Sequence, residues 1–434
     1  MTTLEGSRRP APARGLARPA ARAARTAAGA ARDTAGARGA TREVAALSYY
    51  LVGGATLLLL AIGVVMVLSA STIESIRAND GNPYADFLGQ VKFVVVGLPL
   101  GLAASRVPLE WYRRLAWPAL LGAVVMQLLI FTPLKRGQGG NVNWIYIPGV
   151  GQTVQPSEFL KLALALWLGL VLARKGRLLA DWRHVLVPGA LGCLLAVGLV
   201  LAGHDMGTVL VMVALIAGAF FVGGLPLRWF GVAAVAGAGA AAFFVAISPS
   251  RVTRIMSFLG AGDADPTGVG FQTRHGLWGL GTGGVSGVGL GASREKWSYL
   301  PEAQNDFIFA VLGEELGLLG TLVVLGLFAV LAMGMFRIVR RHKDPFAQIA
   351  TAAIACWILA QALINIGVVI GLLPVIGVPL PLVSAGGSAM ISTLMAVGVV
   401  LAFARSEPGA ARALASRRGV VRRSLAVVGG RRRG

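Results

Sequence analysis

Asp306 closes a charged stretch rich in Gly and Trp, Gln272 to Glu315, inside a chain that is otherwise apolar. It is the last charge before the apolar run that opens Phe307-Ile308-Phe309. A carboxylate there lies at the edge of a bilayer, facing whatever fills the loop. In that position it can take a proton from a reacting group or ligate a divalent cation. Loops of this length are functional or disordered. The Trp, Tyr and paired charges argue for function.

A second constellation is Gln155-Pro156-Ser157-Glu158-Phe159-Leu160-Lys161. Pro156 suits the first turn of a helix and Glu158 its positive end. Lys161, three residues on, shares the face of Glu158. An ion pair at a helix start explains Glu158 well. It explains less well an ammonium one turn inside an apolar helix, because intramembrane charges are costly and usually functional. A cation near an interface is what a diphosphate headgroup wants. Upstream, Trp144 and Tyr146 supply aromatics at interface depth, which alone make only an anchoring belt.

Other polar groups read first as structure. Glu314 and Glu315 lie well inside the apolar run, and successive helical residues diverge by about 100°, so the two cannot share one face. At least one should point into the bundle and find a donor, in a Gly-rich run where helices approach closely. Asp205 fits an N-cap for a helix starting near Gly207. Gln361 and Asn365, at i and i+4, are amides expected to bond to neighbouring helices. The stretch from Gly371 to Ser388, with Ser384 near its end, has no formal charge and three prolines, so it is no regular helix around Pro379 and Pro381. It reads as a re-entrant element or a lipid-facing lip. Gly279, Gly281 and Gly284 match G-x-G-x-x-G, but the flanks are apolar spans and no βαβ unit exists, so no nucleotide is expected. That glycine run is either a turning surface loop or a backbone offering bare N–H groups to an anion.

These residues must be held by membrane-spanning elements. The 434 residues are 56% hydrophobic and 14% charged, and runs of ~20 apolar residues cross a ~30 Å hydrocarbon core. Ten runs qualify: 48–70, 87–105, 116–132, 157–174, 185–202, 207–223, 229–247, 307–336, 347–371 and 385–404. The expected fold is an all-α polytopic membrane protein of ten transmembrane helices, with a large extracytoplasmic loop, 248–306, between the seventh and eighth. Lys and Arg placement puts both termini in the cytoplasm. Residues 1–47 and 405–434 are basic tails that hold most of the +21 net charge. They read as disordered segments against anionic inner-leaflet lipid rather than nucleic-acid binders. Cys193 and Cys356 both fall in apolar runs, with no metal spacing.

Taken jointly, several blocks resemble the FtsW/RodA/SpoVE family. They are Gln155-Pro156-Ser157-Glu158 with Lys161; Asp205-Met206-Gly207-Thr208; Arg251 and Arg254; Pro301-Glu302-Ala303 through Asp306-Phe307-Ile308-Phe309 to Glu314-Glu315-Leu316-Gly317; and Gly371-Leu372-Leu373-Pro374 through Ser384-Ala385-Gly386-Gly387-Ser388. The resemblance covers nearly all of 48–404 and lies closer to the division branch than to the elongation branch. It implies a peptidoglycan glycosyltransferase of the bacterial cytoplasmic membrane that polymerises lipid II, its disaccharide-pentapeptide carried on undecaprenyl diphosphate. The family's essential loop aspartate falls on Asp306, as base or as ligand to Mg²⁺ or Mn²⁺. Lys161, Arg251 and Arg254 would hold diphosphates, with Glu158 orienting Lys161 and Trp144 and Gln155 lining the substrate. The implied partners are a class B penicillin-binding transpeptidase and other division membrane proteins.

Two positions depart from the family. Asn143 stands where an Arg often precedes the Trp, with Arg136 as a substitute, and His204 stands where a Pro usually precedes Asp205. The rival readings are a lipid II flippase, for which no clear inverted repeat is visible, and a scaffold, which leaves the Asp306 loop without a purpose.

Overall fold

The computed structural model describes residues 17–138, 141–148, 151–246, 252, 255–256, 269–297, 299–411 and 413–414. Two compact units emerge, Met1–Ala46 with Gly409–Gly434, and Leu47–Pro408. In the first, residues 17–45 are helical, where the sequence reading expects no regular structure. An Ala- and Arg-rich composition carries high helix propensity.

The second unit is a helical membrane bundle. Eight of its helices are long and apolar enough to cross a bilayer: α1 (Ala46–Ala78), α2 (Ala85–Ala104), α3 (Leu109–Phe131), α4 (Pro156–Lys175), α5 (Trp182–Ala202), α9 (Ile308–Arg341), α10 (Pro345–Val369) and α11 (Gly387–Ser406). Two further apolar helices, α6 (Met206–Val222) and α7 (Leu227–Ala246), complete the runs read from sequence. The centre is α4, 89% buried within its apolar window against 11% for α2. It packs chiefly between α3 and α10, with Trp167 and Trp357 fully enclosed. Small residues let these helices close up: a Cβ on Gly97 would reach Leu394 at 2.9 Å, and one on Gly169 would reach Ala350 at 3.0 Å.

Two features correct the all-α expectation. Between α3 and α4 the chain forms an antiparallel three-stranded sheet, β1 (Lys135–Gln138), β2 (Asn141–Ile147) and β3 (Gln152–Val154), in the order β1-β2-β3. Arg136 pairs with Trp144 and Tyr146 with Thr153. The β-branched and aromatic residues of Val142 to Ile147 favour this extended form. In addition, the segment expected as one long loop contains α8 (Val269–Gly283). Gly279 and Gly281 therefore sit on a helix.

The structure also breaks α9. Gly317 takes φ +67°, ψ −165°, a backbone open to glycine alone at no steric cost. The break leaves backbone groups without helical partners, and lipid cannot satisfy them. The glycine run after α8 does so. Val288 N donates to Glu314 O at 3.0 Å and Gly289 N to Glu315 O at 3.0 Å, while Leu318 N donates to Gly284 O at 2.9 Å and Leu319 N to Val285 O at 3.2 Å. Gly287, at φ +79°, lies so close that a Cβ there would come within 2.5 Å of the Glu315 carbonyl carbon. The glycine run is thus neither a free surface loop nor a set of bare N–H groups for an anion. Its amides at 288 and 289 are spent on the broken helix.

Candidate active site

Asp306 sits at the end of the turn 301–307, directly before α9, and is half-buried. Its neighbour Phe307 is fully buried against α8, where a Cβ on Gly276 would meet the ring at 3.1 Å. The carboxylate faces the irregular segment after α10: a Cβ on Gly377 would lie 3.5 Å from Asp306 Oδ2. Gly377 has φ +79°, which keeps a side chain out of that approach.

The backbone around Asp306 is held from the opposite side. Ala385 N donates to Gln304 O at 2.9 Å, Ser384 Oγ to Asn305 O at 2.6 Å, and Asn365 Nδ2 to Asp306 O at 2.7 Å. Asn365 Nδ2 also donates to Val378 O at 2.8 Å, and Gln361 Nε2 to Pro379 O at 3.0 Å. Both amides thus donate to non-helical backbone. Gln361 also accepts from the neighbouring helix α4 through Lys161, as the sequence reading expects, while the two bonds of Asn365 Nδ2 go to main-chain carbonyls of 306 and 378. Prolines and a broken helix leave carbonyls there that need donors. Gln304 Oε1 and Asn365 Oδ1 are buried without a hydrogen-bond partner among the described residues.

Lys161 has a different setting. Its Nζ donates to Glu158 Oε1 at 2.7 Å and to Gln361 Oε1 at 3.1 Å. It lies 4.7 Å from the centre of the Trp357 ring. Glu158 Oε2 accepts from Ser392 Oγ at 2.9 Å, and Gln361 Oε1 also accepts from Trp357 Nε1 at 2.9 Å. Lys161 is 1% exposed and Glu158 3%. Lys161, expected at a diphosphate, is here surrounded by partners on α4 and α10. Sequence spacing shows the Glu158 partner but not the partners from α10 and α11.

Gln155 and Asp205 join α4 to α6. Gln155 Nε2 donates to Asp205 Oδ2 at 2.9 Å, and Gln155 N donates to Ser388 Oγ at 3.1 Å. Asp205 caps α6, accepting Thr208 N at 2.9 Å and Thr208 Oγ1 at 2.7 Å. His204 has φ +65°, which a proline, locked near −65°, does not reach. The turn thus differs locally from the family's proline form while the cap remains. Trp144 is half-buried on β2. Asn143 is 1% exposed and packs directly on Gly203. Arg136 is exposed and lies 5.3 Å from the Tyr146 ring centre. Arg251 and Arg254 lie outside the described residues.

Glu314 and Glu315 are each 1% exposed, and both find donors. These come chiefly from the segment after α8 rather than from a neighbouring span. Glu314 accepts Ser293 Oγ at 2.5 Å and Arg294 N at 2.9 Å. Glu315 Oε1 accepts Lys296 Nζ at 3.0 Å and Ser69 Oγ at 2.6 Å. Lys296 also donates to Gly291 O at 2.7 Å. His275 Nδ1 and Glu295 Oε2, 2.6 Å apart, tie α8 to the same segment. Sequence reasoning gave Ser293 and Lys296 no role. The one signal was a charged pair, Glu295-Lys296, inside a glycine-rich run.

Known proteins match this chain along most of its length. The family model of FtsW, RodA and SpoVE, described as cell cycle protein, matches residues 50–408. A Mycobacterium tuberculosis protein, "Probable peptidoglycan glycosyltransferase FtsW", is 38% identical over 369 residues, 85% of this chain and 70% of its own. Stage V sporulation protein E of Bacillus subtilis is 38% identical over 356 residues, 81% of this chain and 95% of that one. Among solved structures, one described as "Structural coordination of polymerization and crosslinking by a peptidoglycan synthase complex" superposes with TM-score 0.64 at 26% identity, covering 81% of this chain and 96% of the other. The rod shape determining protein RodA of Thermus thermophilus gives TM-score 0.61 at 25% identity, covering 82% and 97%.

Proposed function

The chain belongs to the FtsW/RodA/SpoVE family, and from that premise we propose that it is a peptidoglycan glycosyltransferase that polymerises lipid II for septal wall synthesis. The observation that carries this reading is Asp306: a half-buried carboxylate at a helix start, on a backbone held at three successive carbonyls. In the reaction the C4 hydroxyl of one sugar attacks the anomeric carbon of another. The new C–O bond forms as the bond to the lipid diphosphate breaks, and the diphosphate leaves with the electron pair. Asp306 takes the hydroxyl proton as general base. The same backbone contacts keep the carboxylate in place through each cycle.

A divalent cation fits the site in one form only. Among the described residues no three His, Cys, Asp or Glu side chains gather to hold a metal, which excludes a cage built from such groups there. Asp306, as a single carboxylate, suits Mg²⁺ or Mn²⁺, which keep waters and bind substrate phosphates through one or two carboxylates. Such an ion would offset charge on the departing diphosphate. Arg251 and Arg254 are proposed to hold the diphosphates.

The finer topology is part of the same proposal: ten spans, Asp306 on the outer face and both termini in the cytoplasm. So is a class B penicillin-binding transpeptidase as partner, in line with the synthase complex that the fold matches. The test is purified protein in liposomes with lipid II in the outer leaflet. Glycan strands that require Mg²⁺ or Mn²⁺ and vanish on chelation support the enzyme with its ion; strands insensitive to chelation remove the ion. Lipid II translocation without polymer refutes the enzyme in favour of a flippase.

A further inference from the structure

We propose that Asn365 and Ser384 are positioning residues for Asp306, acting through its main chain; this rests on the reading of Asp306 as the base. The segment from Gly371 to Gly386 lacks helix, so its polar backbone needs partners from side chains. Asn365 and Ser384 supply them and reach beyond the segment. Asn365 Nδ2 bridges Val378 O, at 2.8 Å, and Asp306 O, at 2.7 Å. Ser384 Oγ accepts Leu380 N at 2.8 Å and donates to Asn305 O at 2.6 Å. With Ala385 N on Gln304 O, the carbonyls of 304 and 305 are engaged by the far segment and that of 306 by α10.

Both bridging side chains are enclosed: Asn365 is 1% exposed and Ser384 3%. Neither side chain bonds the Asp306 carboxylate in the contacts above; each fixes a carbonyl next to it or its own. The same segment contributes Gly377, whose Cα faces Asp306 Oδ2. The segment, joined to α10 through Asn365, therefore sets both the backbone that carries the carboxylate and the surface the carboxylate meets. A displacement of about 1 Å at a reacting group can lower the rate about 100-fold, so loss of these bridges should slow chemistry with little change in substrate affinity.

The experiment uses the full chain in liposomes with lipid II and compares Asn365→Leu, Ser384→Ala and Ser384→Thr. Asn365→Leu is expected to lower kcat about 100-fold and Ser384→Ala about tenfold, with KM unchanged. Ser384→Thr, which keeps the hydroxyl, should restore most of the rate. Amide hydrogen exchange over 302–307 should rise in the first two variants and stay as in the wild type in the third, with α4 and α10 unchanged in all. Wild-type kcat in Ser384→Ala, a loss confined to KM, or unaltered exchange over 302–307 would overturn the proposal. Should Asn365→Leu fail to fold, Ser384→Ala removes a single oxygen and decides alone. Asp306→Asn runs alongside. If it polymerises normally, the base assignment falls, while the exchange data still judge the bridges. If it is inactive and Ser384→Ala is not impaired, only the positioning role falls.

Discussion

Asp306 and the pair Glu314–Glu315 lie within ten residues of one another and live in opposite conditions. The glutamates are 1% exposed; both oxygens of Glu314 are taken up by Ser293 and Arg294 and Oε1 of Glu315 by Lys296 and Ser69, while Glu315 Oε2 is buried without a hydrogen-bond partner among the described residues. Asp306 is half-buried and faces a glycine. Its main-chain carbonyl accepts from Asn365, and that of the preceding Asn305 accepts from Ser384. Carboxylates enclosed among donors form a structural class that holds the fold together; one half-buried on a fixed backbone at a helix start can exchange protons with a substrate. Lys161 and Glu158 belong with the structural class, as a buried pair closed by Gln361 and Ser392.

The comparison can be broken most visibly at the buried pairs. Lys161→Met leaves Glu158 ionised and enclosed, and removing one partner of such a pair destabilises by about 3–5 kcal/mol. Denaturant unfolding in detergent should show this, and the double variant Glu158→Gln with Lys161→Met should recover most of it. A variant that is stable but needs more lipid II would return Lys161 to the substrate site. Lys296→Met should be nearly as damaging, through the stranded Glu315, and should loosen 284–296 to protease. Unchanged stability there would remove Glu315 from the structural class.

Smaller effects sharpen the picture. Asp205→Ala should cost about 1 kcal/mol through the lost α6 cap, read as a drop in Tm with polymerisation intact. At the other end of the bundle, His342 accepts Asp344 N on Nδ1 at 3.0 Å and lies 3.0 Å from Ser406 Oγ through Nε2. Burial, chiefly, holds its pKa below the ordinary value of 6.5. The folded state thus binds this proton less readily than the unfolded chain. The His342 contribution is whole above pH 6.5 and is lost as pH falls through the depressed value. Tm should fall between pH 7 and 5 more steeply in the wild type than in His342→Gln; equal slopes would contradict it.

Much of this was legible in advance because membrane spans announce themselves by length and apolarity. Eight helices long and apolar enough to cross a bilayer lie on runs read from sequence, and Asp306 lies beside the start of α9. What escaped depends on distant partners. Nothing local shows that the glycines after α8 would close a helix broken at Gly317, nor that Gln361 would turn Lys161 inward. The sheet at 135–154 escaped because short β-rich strands between spans carry a weak signal beside strong helical ones. Asn365 was visible as a buried amide, but its target, the main chain of Asp306, lies 59 positions away.

The central claim rests on what the Asp306 carboxylate does, and Asp306→Asn isolates it: the side chain keeps its shape and loses its basicity. In liposomes this variant should bind lipid II with wild-type affinity, keep its Tm and make no glycan strands. Polymer formed at the wild-type rate would contradict the account.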